Sequence, residues 1–302
     1  MRHTCQMQGR PLPTDVVGPL IETVFNPTQP ETMRQRLARD GYLFFRDVLP
    51  VSEILSARAE VFERLAEVGE VQLPVSTGTY TGSSRRRARF PDLGSFWQSV
   101  SEGPALRLAS HGPHVTHVVS TVLAEPAHAH DYLFLRPAVP GRSTHLHYDH
   151  PFFARGSNRI HTAWTPLGNI PLDQGPLMIV EGSNQFQDLI SQAQAVDYAS
   201  SSTPLVQLME DPAELARRRS SRLLTADFRA GDLVLFSMTL LHGSLDNQSA
   251  EDHIRLSCDV RWQPCADPID DRYLGPVPAG TTGAGYGELN GAKPLDEPWH
   301  QR

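Results

Sequence analysis

Beyond Asp131 the chain breaks into six short apolar runs, at 132–135, 144–149, 160–167, 177–181, 232–241 and 254–262, divided by Pro, Gly and polar turns. Runs of this length, separated by chain-turning residues, suit strands rather than helices. Many short strands in succession imply an antiparallel sandwich or barrel, since each strand can pair with a neighbour without a long crossover. A mainly β core is therefore expected.

The first half of the chain supplies its dressing. Residues 1–30 hold Pro11, Pro13, Pro27 and Pro30 with little periodicity and read as an arm on the surface. A helix is predicted over 31–39, ended by Asp40-Gly41, before the β-prone run 42–45. Ser52 can cap a further helix whose stripe Ile54, Ala57, Val61, Leu65 and Val68 would pack on a sheet. Residues 71–92 read as a loop carrying the basic run Arg85, Arg86, Arg87 and Arg89, a solvated face by the usual behaviour of charge blocks and otherwise an attractor of anions. His111, His114 and His117 lie at three-residue spacing with no carboxylate suitably placed, so they read as helix decoration. Between the fourth and fifth runs, 184–226 is an insertion with helices at 185–195 and 212–219, placed to form a lid. The Pro- and Gly-rich tail 266–302 should be irregular and pinned by Tyr273, Tyr286 and Trp299. All 302 residues are thus expected to form one domain: arm 1–30, core 31–265 with its insertion, and tail 266–302.

A net charge of −7 argues against nucleic acid or a membrane surface as partner and favours a small molecule. No signal segment and no long apolar run are visible, and the three cysteines, Cys5, Cys258 and Cys265, lack metal-knuckle spacing. A reducing, cytoplasmic setting is expected.

The chemistry concentrates in Thr144-His145-Leu146-His147-Tyr148-Asp149-His150. On a strand, His145, His147 and Asp149 would share one face, so His147 and Asp149 can hold one metal. A third ligand from elsewhere would complete the two-His-one-carboxylate face that leaves positions open on iron(II). His242 closes an apolar stretch and is a candidate; taken alone it reads equally well as a hydrogen-bonded core histidine. Arg255 follows, with Ser257 on the same strand face, and a guanidinium fork beside a hydroxyl makes a carboxylate receptor. His-x-Asp, a distant His, then Arg-x-Ser is the order expected of an iron(II)/2-oxoglutarate oxygenase.

From about Asp40 to Trp262 the chain resembles the phytanoyl-CoA dioxygenase family of those enzymes. The resemblance lies in Asp40-Gly41-Tyr42, His147-Tyr148-Asp149, the runs 162–167, 175–183 and 230–236, and His242-Gly243-Ser244, in this order and spacing. It implies a double-stranded β-helix (jelly-roll, cupin-like) core, with iron held by His147, Asp149 and His242. It also implies that Arg255, helped by Ser257, holds 2-oxoglutarate, that Trp164 lines the co-substrate pocket, and that His145 touches the co-substrate. The implied reaction takes O2 and releases succinate and CO2 while oxidising a C–H bond of a small molecule, a natural-product intermediate being one candidate, with hydroxylation as the default outcome. A different class, the metallo-β-lactamase-type zinc hydrolases, shares the His-x-His-x-Asp-His spelling of 145–150. Its preceding Asp-x-Gly strand is missing here, and Pro151-Phe152-Phe153 follows where Gly or Ala is expected.

Overall fold

The computed structural model describes residues 5–200 and 206–299. Its strands are β1 (Gln6–Met7), β2 (Arg10–Pro11), β3 (Val17–Pro19), β4 (Tyr42–Phe45), β5 (Ala127–Ala129), β6 (Phe134–Ala138), β7 (His161–Pro166), β8 (Leu177–Val180), β9 (Leu223–Thr225), β10 (Leu233–Ser237), β11 (His242–Ser244) and β12 (Arg255–Pro264). The helices are α1 (Pro30–Asp40), α2 (Val51–Glu67), α3 (Arg86–Arg89), α4 (Leu93–Ser101), α5 (Pro104–His111), α6 (Pro113–Leu123), α7 (Gln187–Gln194) and α8 (Pro212–Arg218). A larger sheet runs β4-β10-β7-β12-β5 with β6 also on β12, and a smaller one runs β11-β8-β9-β3. Neither closes on itself, and together they make the jelly roll.

Strand alternation sorts the side chains into layers. Tyr42, Phe44, Trp164, Val234 and Phe236 of the larger sheet meet Leu177, Ile179 and Leu224 of the smaller one in the inter-sheet core. The opposite faces are covered separately. Leu43, Phe45, Leu233 and Leu235 pack on Ile54, Ala57, Val61 and Leu65, the apolar stripe of α2. Met178 and Val180 pack on Ile190 of α7 and Leu215 of α8.

Several expectations need correction. The arm does not lie on the surface: Met7, Leu12, Val16 and Leu20 are buried, and β3 pairs in parallel with β9 as an edge strand. Pro50, not Ser52, precedes the first turn of α2. The run at 132–135 forms a strand displaced to Phe134–Ala138, and 144–149 is no strand but an extended segment with a single bridge. The run 232–241 ends early, because the chain turns after Ser237 and His242 opens β11 in the other sheet. The insertion is docked on the core through its two helices. Its helices need an apolar surface and find it on the back of the smaller sheet, and the end of 184–226 is β9 itself, a core strand. The histidine series is divided by Gly112-Pro113, with His111 in α5 and His114 and His117 in α6. The tail is irregular apart from short 3-10 turns, and Tyr273 and Tyr286 are buried in the main core.

Candidate active site

His147 and His242 are joined through the backbone. Each N–H donates to the other's carbonyl, at 2.9 Å from His147 and 3.1 Å from His242, and Ser244 N–H donates to the Thr144 carbonyl at 2.9 Å, so a segment that is otherwise irregular is clamped to β11. The approach is close enough that a Cβ on Gly243 would lie 2.6 Å from the Thr144 carbonyl oxygen. Both imidazoles are oriented by a backbone acceptor: Nδ1 of His147 lies 2.8 Å from the His145 carbonyl, and Nδ1 of His242 3.0 Å from that of Leu240. With Nδ1–H so engaged, the Nε2 lone pairs are the ones free to bind a metal. They stand 3.7 Å and 4.0 Å from Oδ1 of Asp149, which sits at the turn from the extended segment into a 3-10 turn at His150–Phe152. Burial, reinforced by His242, pushes the His147 imidazole down to about 3, and burial likewise lowers His242. Two neutral imidazoles and a carboxylate, all buried and with ligand atoms within 4.8 Å of one another, are the donor set for a divalent ion. No other such cluster occurs among the described residues.

Asp149 is held by more than its neighbours in sequence. Oδ1 accepts from Arg261 at 2.7 Å and Oδ2 from the Thr162 hydroxyl at 2.6 Å. Arg261 also donates to Asp259 at 2.5 Å, and Asp259 accepts in turn from Arg136 at 2.6 Å. Burial by itself would raise the Asp149 carboxyl, but Arg261, the two histidines and Thr162 outweigh it and hold it well below the usual carboxylate range. The source of this network is β12, all ten residues of which are buried. Leu256, Cys258 and Val260 face the helices, whereas Arg255, Ser257, Asp259 and Arg261 alternate with them onto the inner face.

At the other end of that face, Arg255 is 2% exposed and makes no ion pair with a carboxylate among the described residues. It donates to the hydroxyls of Ser257 at 2.8 Å and Ser244 at 3.3 Å, while its Nε has no acceptor. Burial pushes the guanidinium down to about 9, so it remains charged at neutral pH. A buried cation satisfied only by neutral groups is costly unless an anion joins it. Arg255, Ser244, Trp164, His147 and His242 line a cavity of about 310 Å³. A second cavity of about 660 Å³ adjoins the same cluster and is walled by Phe134, Phe152, Arg136, Arg261, Leu289 and Trp299 among others.

Of the residues singled out by sequence, His147, Asp149 and His242 therefore converge, and Arg255, Ser257 and Trp164 flank them. His145 does not join them. Because the segment is not a regular strand, its ring turns to a separate cavity with Gln8 and Asp246, and its Nδ1 has no partner among the described residues. His150 also stays outside the cluster, so the four-residue hydrolase set is not assembled. The basic run is a solvated face at Arg85, Arg87 and Arg89, as expected, but not at Arg86, and it does not stand at the mouth. Arg86 is fully buried, bound to Glu70 at 2.5 Å and to the carbonyls of Gly291, Ala292 and Lys293, and Arg87 pairs with Glu297. No residue of 71–92 lines either cavity; tail residues 289–291 and Trp299 do, with Gln207 from the insertion. Sequence reasoning missed Thr162, Ser244 and Asp259. The signal for Asp259 was present in the strict apolar–polar alternation of β12, which in a solvent-facing strand would mean nothing.

The family model described as Phytanoyl-CoA dioxygenase (PhyH) matches residues 37–256. No curated protein matches the chain significantly in sequence. Among solved structures, the epimerase SnoN in complex with Fe3+, alpha ketoglutarate and nogalamycin RO is 19% identical, with a TM-score of 0.52 over 83% of this chain and 88% of that one. The non-heme alpha ketoglutarate dependent carbocyclase SnoK from nogalamycin biosynthesis is 18% identical, with a TM-score of 0.52 over 83% and 88%. EctD from S. alaskensis in its apoform is 18% identical, with a TM-score of 0.51 over 88% and 86%. At these identities the likeness is one of fold.

Proposed function

We propose that this chain, which belongs to the phytanoyl-CoA dioxygenase family, is an iron(II)- and 2-oxoglutarate-dependent oxygenase that hydroxylates a C–H bond of a small molecule. The observation that carries this reading is the His147, Asp149 and His242 cluster beside Arg255, a buried guanidinium that makes no ion pair among the described residues and lines the adjoining cavity. Three protein ligands leave positions for a chelating co-substrate and for O2. Iron and 2-oxoglutarate together supply an oxidant able to take hydrogen from an unactivated C–H bond, with succinate and CO2 as co-products.

The chain's own groups prepare that chemistry. Arg255, with Ser257 and Ser244, holds the distal carboxylate of the co-substrate, and Trp164 forms the wall beside it. Arg261 and Thr162 keep Asp149 ionised and fixed for the metal, and the carbonyls of His145 and Leu240 keep both Nε2 atoms turned toward it. Phe134, Phe152 and Leu289 line the larger cavity with apolar surface, which limits water at the reacting position. A carboxylate at position 149 leaves no ligand position for a halide, which favours hydroxyl transfer over halogenation. The fold also serves an epimerase and a carbocyclase, so the fate of the oxidised carbon belongs to the substrate cavity. We assign the whole chain to one oxygenase domain.

Anaerobic addition of iron(II) and 2-oxoglutarate should produce the weak visible charge-transfer band of the chelate. His147→Ala, Asp149→Ala and His242→Ala should each abolish it. A band that persists in all three variants, or zinc-dependent hydrolysis that requires His145 and His150, would overturn the reading.

A further inference from the structure

The two cavities meet at the metal-ligand cluster, and the charges on their walls do not balance. Among the described residues, the ionised side chains lining them are Arg136, Arg255 and Arg261 against Asp149 and Asp259. Three guanidiniums against two carboxylates leave one positive charge; a divalent ion between neutral imidazoles makes it three, and a doubly charged co-substrate reduces it to one. An excess buried charge is costly, so the complete site calls for one more anion. Arg136 is the guanidinium with a free edge. Its Nε and Nη2 donate to Asp259 at 2.6 Å and 3.2 Å, while Nη1 makes no hydrogen bond among the described residues. Its side chain is 22% exposed, against 3% for Asp259, and it lines both cavities. Asp259 thus fixes the guanidinium plane and leaves the remaining edge for a ligand.

The same larger cavity has polar atoms that no group of the described residues satisfies. Oε1 of Gln207 and Oδ1 of Asn290 are shut off from solvent without a hydrogen-bond partner among the described residues. Amide oxygens accept, so they call for a hydroxyl or ammonium donor. The wall of that cavity also has an apolar part, with Phe134, Phe152 and Leu289. We propose that the substrate is a small carboxylic acid with an apolar body and a hydrogen-bond donor, its carboxylate seated on Arg136 and its donor directed to Asn290 and Gln207. This rests on the oxygenase reading and names the substrate class of that site.

The test titrates 3-(4-hydroxyphenyl)propanoate and 3-(4-hydroxyphenyl)propanamide, probes that share an apolar body and a hydroxyl donor and differ in charge, calorimetrically into the anaerobic iron(II)/2-oxoglutarate complex. The acid should bind at least tenfold more tightly than the amide. Arg136→Gln should remove that difference, Arg136→Lys should retain part of it, and 2-oxoglutarate affinity should change less than threefold in both. Equal binding of acid and amide to the parent protein, or no binding of either at millimolar concentration, overturns the proposal without recourse to a variant. A large loss of 2-oxoglutarate affinity in Arg136→Lys also overturns it, because Arg136 would then belong to the co-substrate. Failure of the underlying oxygenase reading is distinct: the charge-transfer band would be missing before any probe is added.

Discussion

Arg255 and Arg261 sit six residues apart on one strand face, yet their surroundings assign them opposite tasks. Arg261 is neutralised by Asp149 and Asp259, whereas Arg255 touches only hydroxyls. Arg255→Ala should therefore leave iron binding in place and weaken 2-oxoglutarate by about 2–5 kcal/mol, the cost of a desolvated carboxylate left without its charged donor. The apparent 2-oxoglutarate constant checks this, and an unchanged constant would move the role to another group. Arg261→Met should act on the metal instead. Loss of the donor that orients Asp149 should weaken Mn2+ or Ni2+ binding roughly 10–100-fold, as removal of outer-shell partners commonly does. Thr162→Val, which removes the bond to the other carboxylate oxygen, should show a milder effect in the same calorimetric titration.

The element that decides the site is the short clamp between β11 and the segment around His147. Two imidazoles can share a metal there because the backbones are hydrogen-bonded directly, with no side chain between them. Gly243→Ala would place a methyl group 2.6 Å from the Thr144 carbonyl oxygen and 2.8 Å from the Met7 side chain. Overpacking of this kind costs about 1–3 kcal/mol and would be relieved by moving the segment outward. Metal affinity should fall although no ligand is altered, and a variant that binds metal like the parent would show the clamp to be more compliant than its contacts suggest. On β12 the same logic runs along the strand, where one face builds the core and the other holds the buried charges.

For the molecule as a whole, the tail is a structural wall held from inside. Arg86 donates to three successive carbonyls of the tail, Gly291, Ala292 and Lys293, and Glu70 accepts from Leu295 N–H at 3.0 Å. A Cβ at Gly291 would meet the Trp97 indole at 2.2 Å, so the wall is closely packed as well. Arg86→Met, by leaving Glu70 buried and unpaired, should cost about 3–5 kcal/mol in thermal or denaturant unfolding. The double variant Arg86→Met/Glu70→Leu should recover part of that stability while the tail remains loosened. A second anchor responds to acid. His130 is 1% exposed and stacked on Tyr273 of the tail at 5.4 Å, and burial pushes its imidazole down to about 4. A histidine kept neutral when folded and titrating near 6.5 when unfolded favours the unfolded state as pH falls. Its contribution to stability is thus intact above about 6.5 and lost between there and about 4, by up to about 1.4 kcal/mol per pH unit. Melting curves of His130→Gln should be less sensitive to pH across that window than those of the parent. Parallel curves would remove His130 from the account.

Local sequence determined a good deal of this protein. Periodicity was enough for β4, β7, β8, β12, the stripe of α2 and the two insertion helices, because each buries a face whose spacing is written in consecutive residues. The order His147-x-Asp149, His242, Arg255-x-Ser257 was legible for the same reason: it needs only residue types and offsets. What depended on the third dimension was every statement about which groups are left unpaired. Arg85–Arg89 looks alike at each arginine, yet Arg86 goes into the core because Glu70 and the tail carbonyls are there to receive it. Arg136, Arg255 and Arg261 are likewise equivalent as letters. Only the folded arrangement, which gives Asp149 and Asp259 to one, half of Asp259 to another and no carboxylate to the third, distinguishes a strut from a binding group, since the cost of a buried charge depends on its partners and not on its position in the chain.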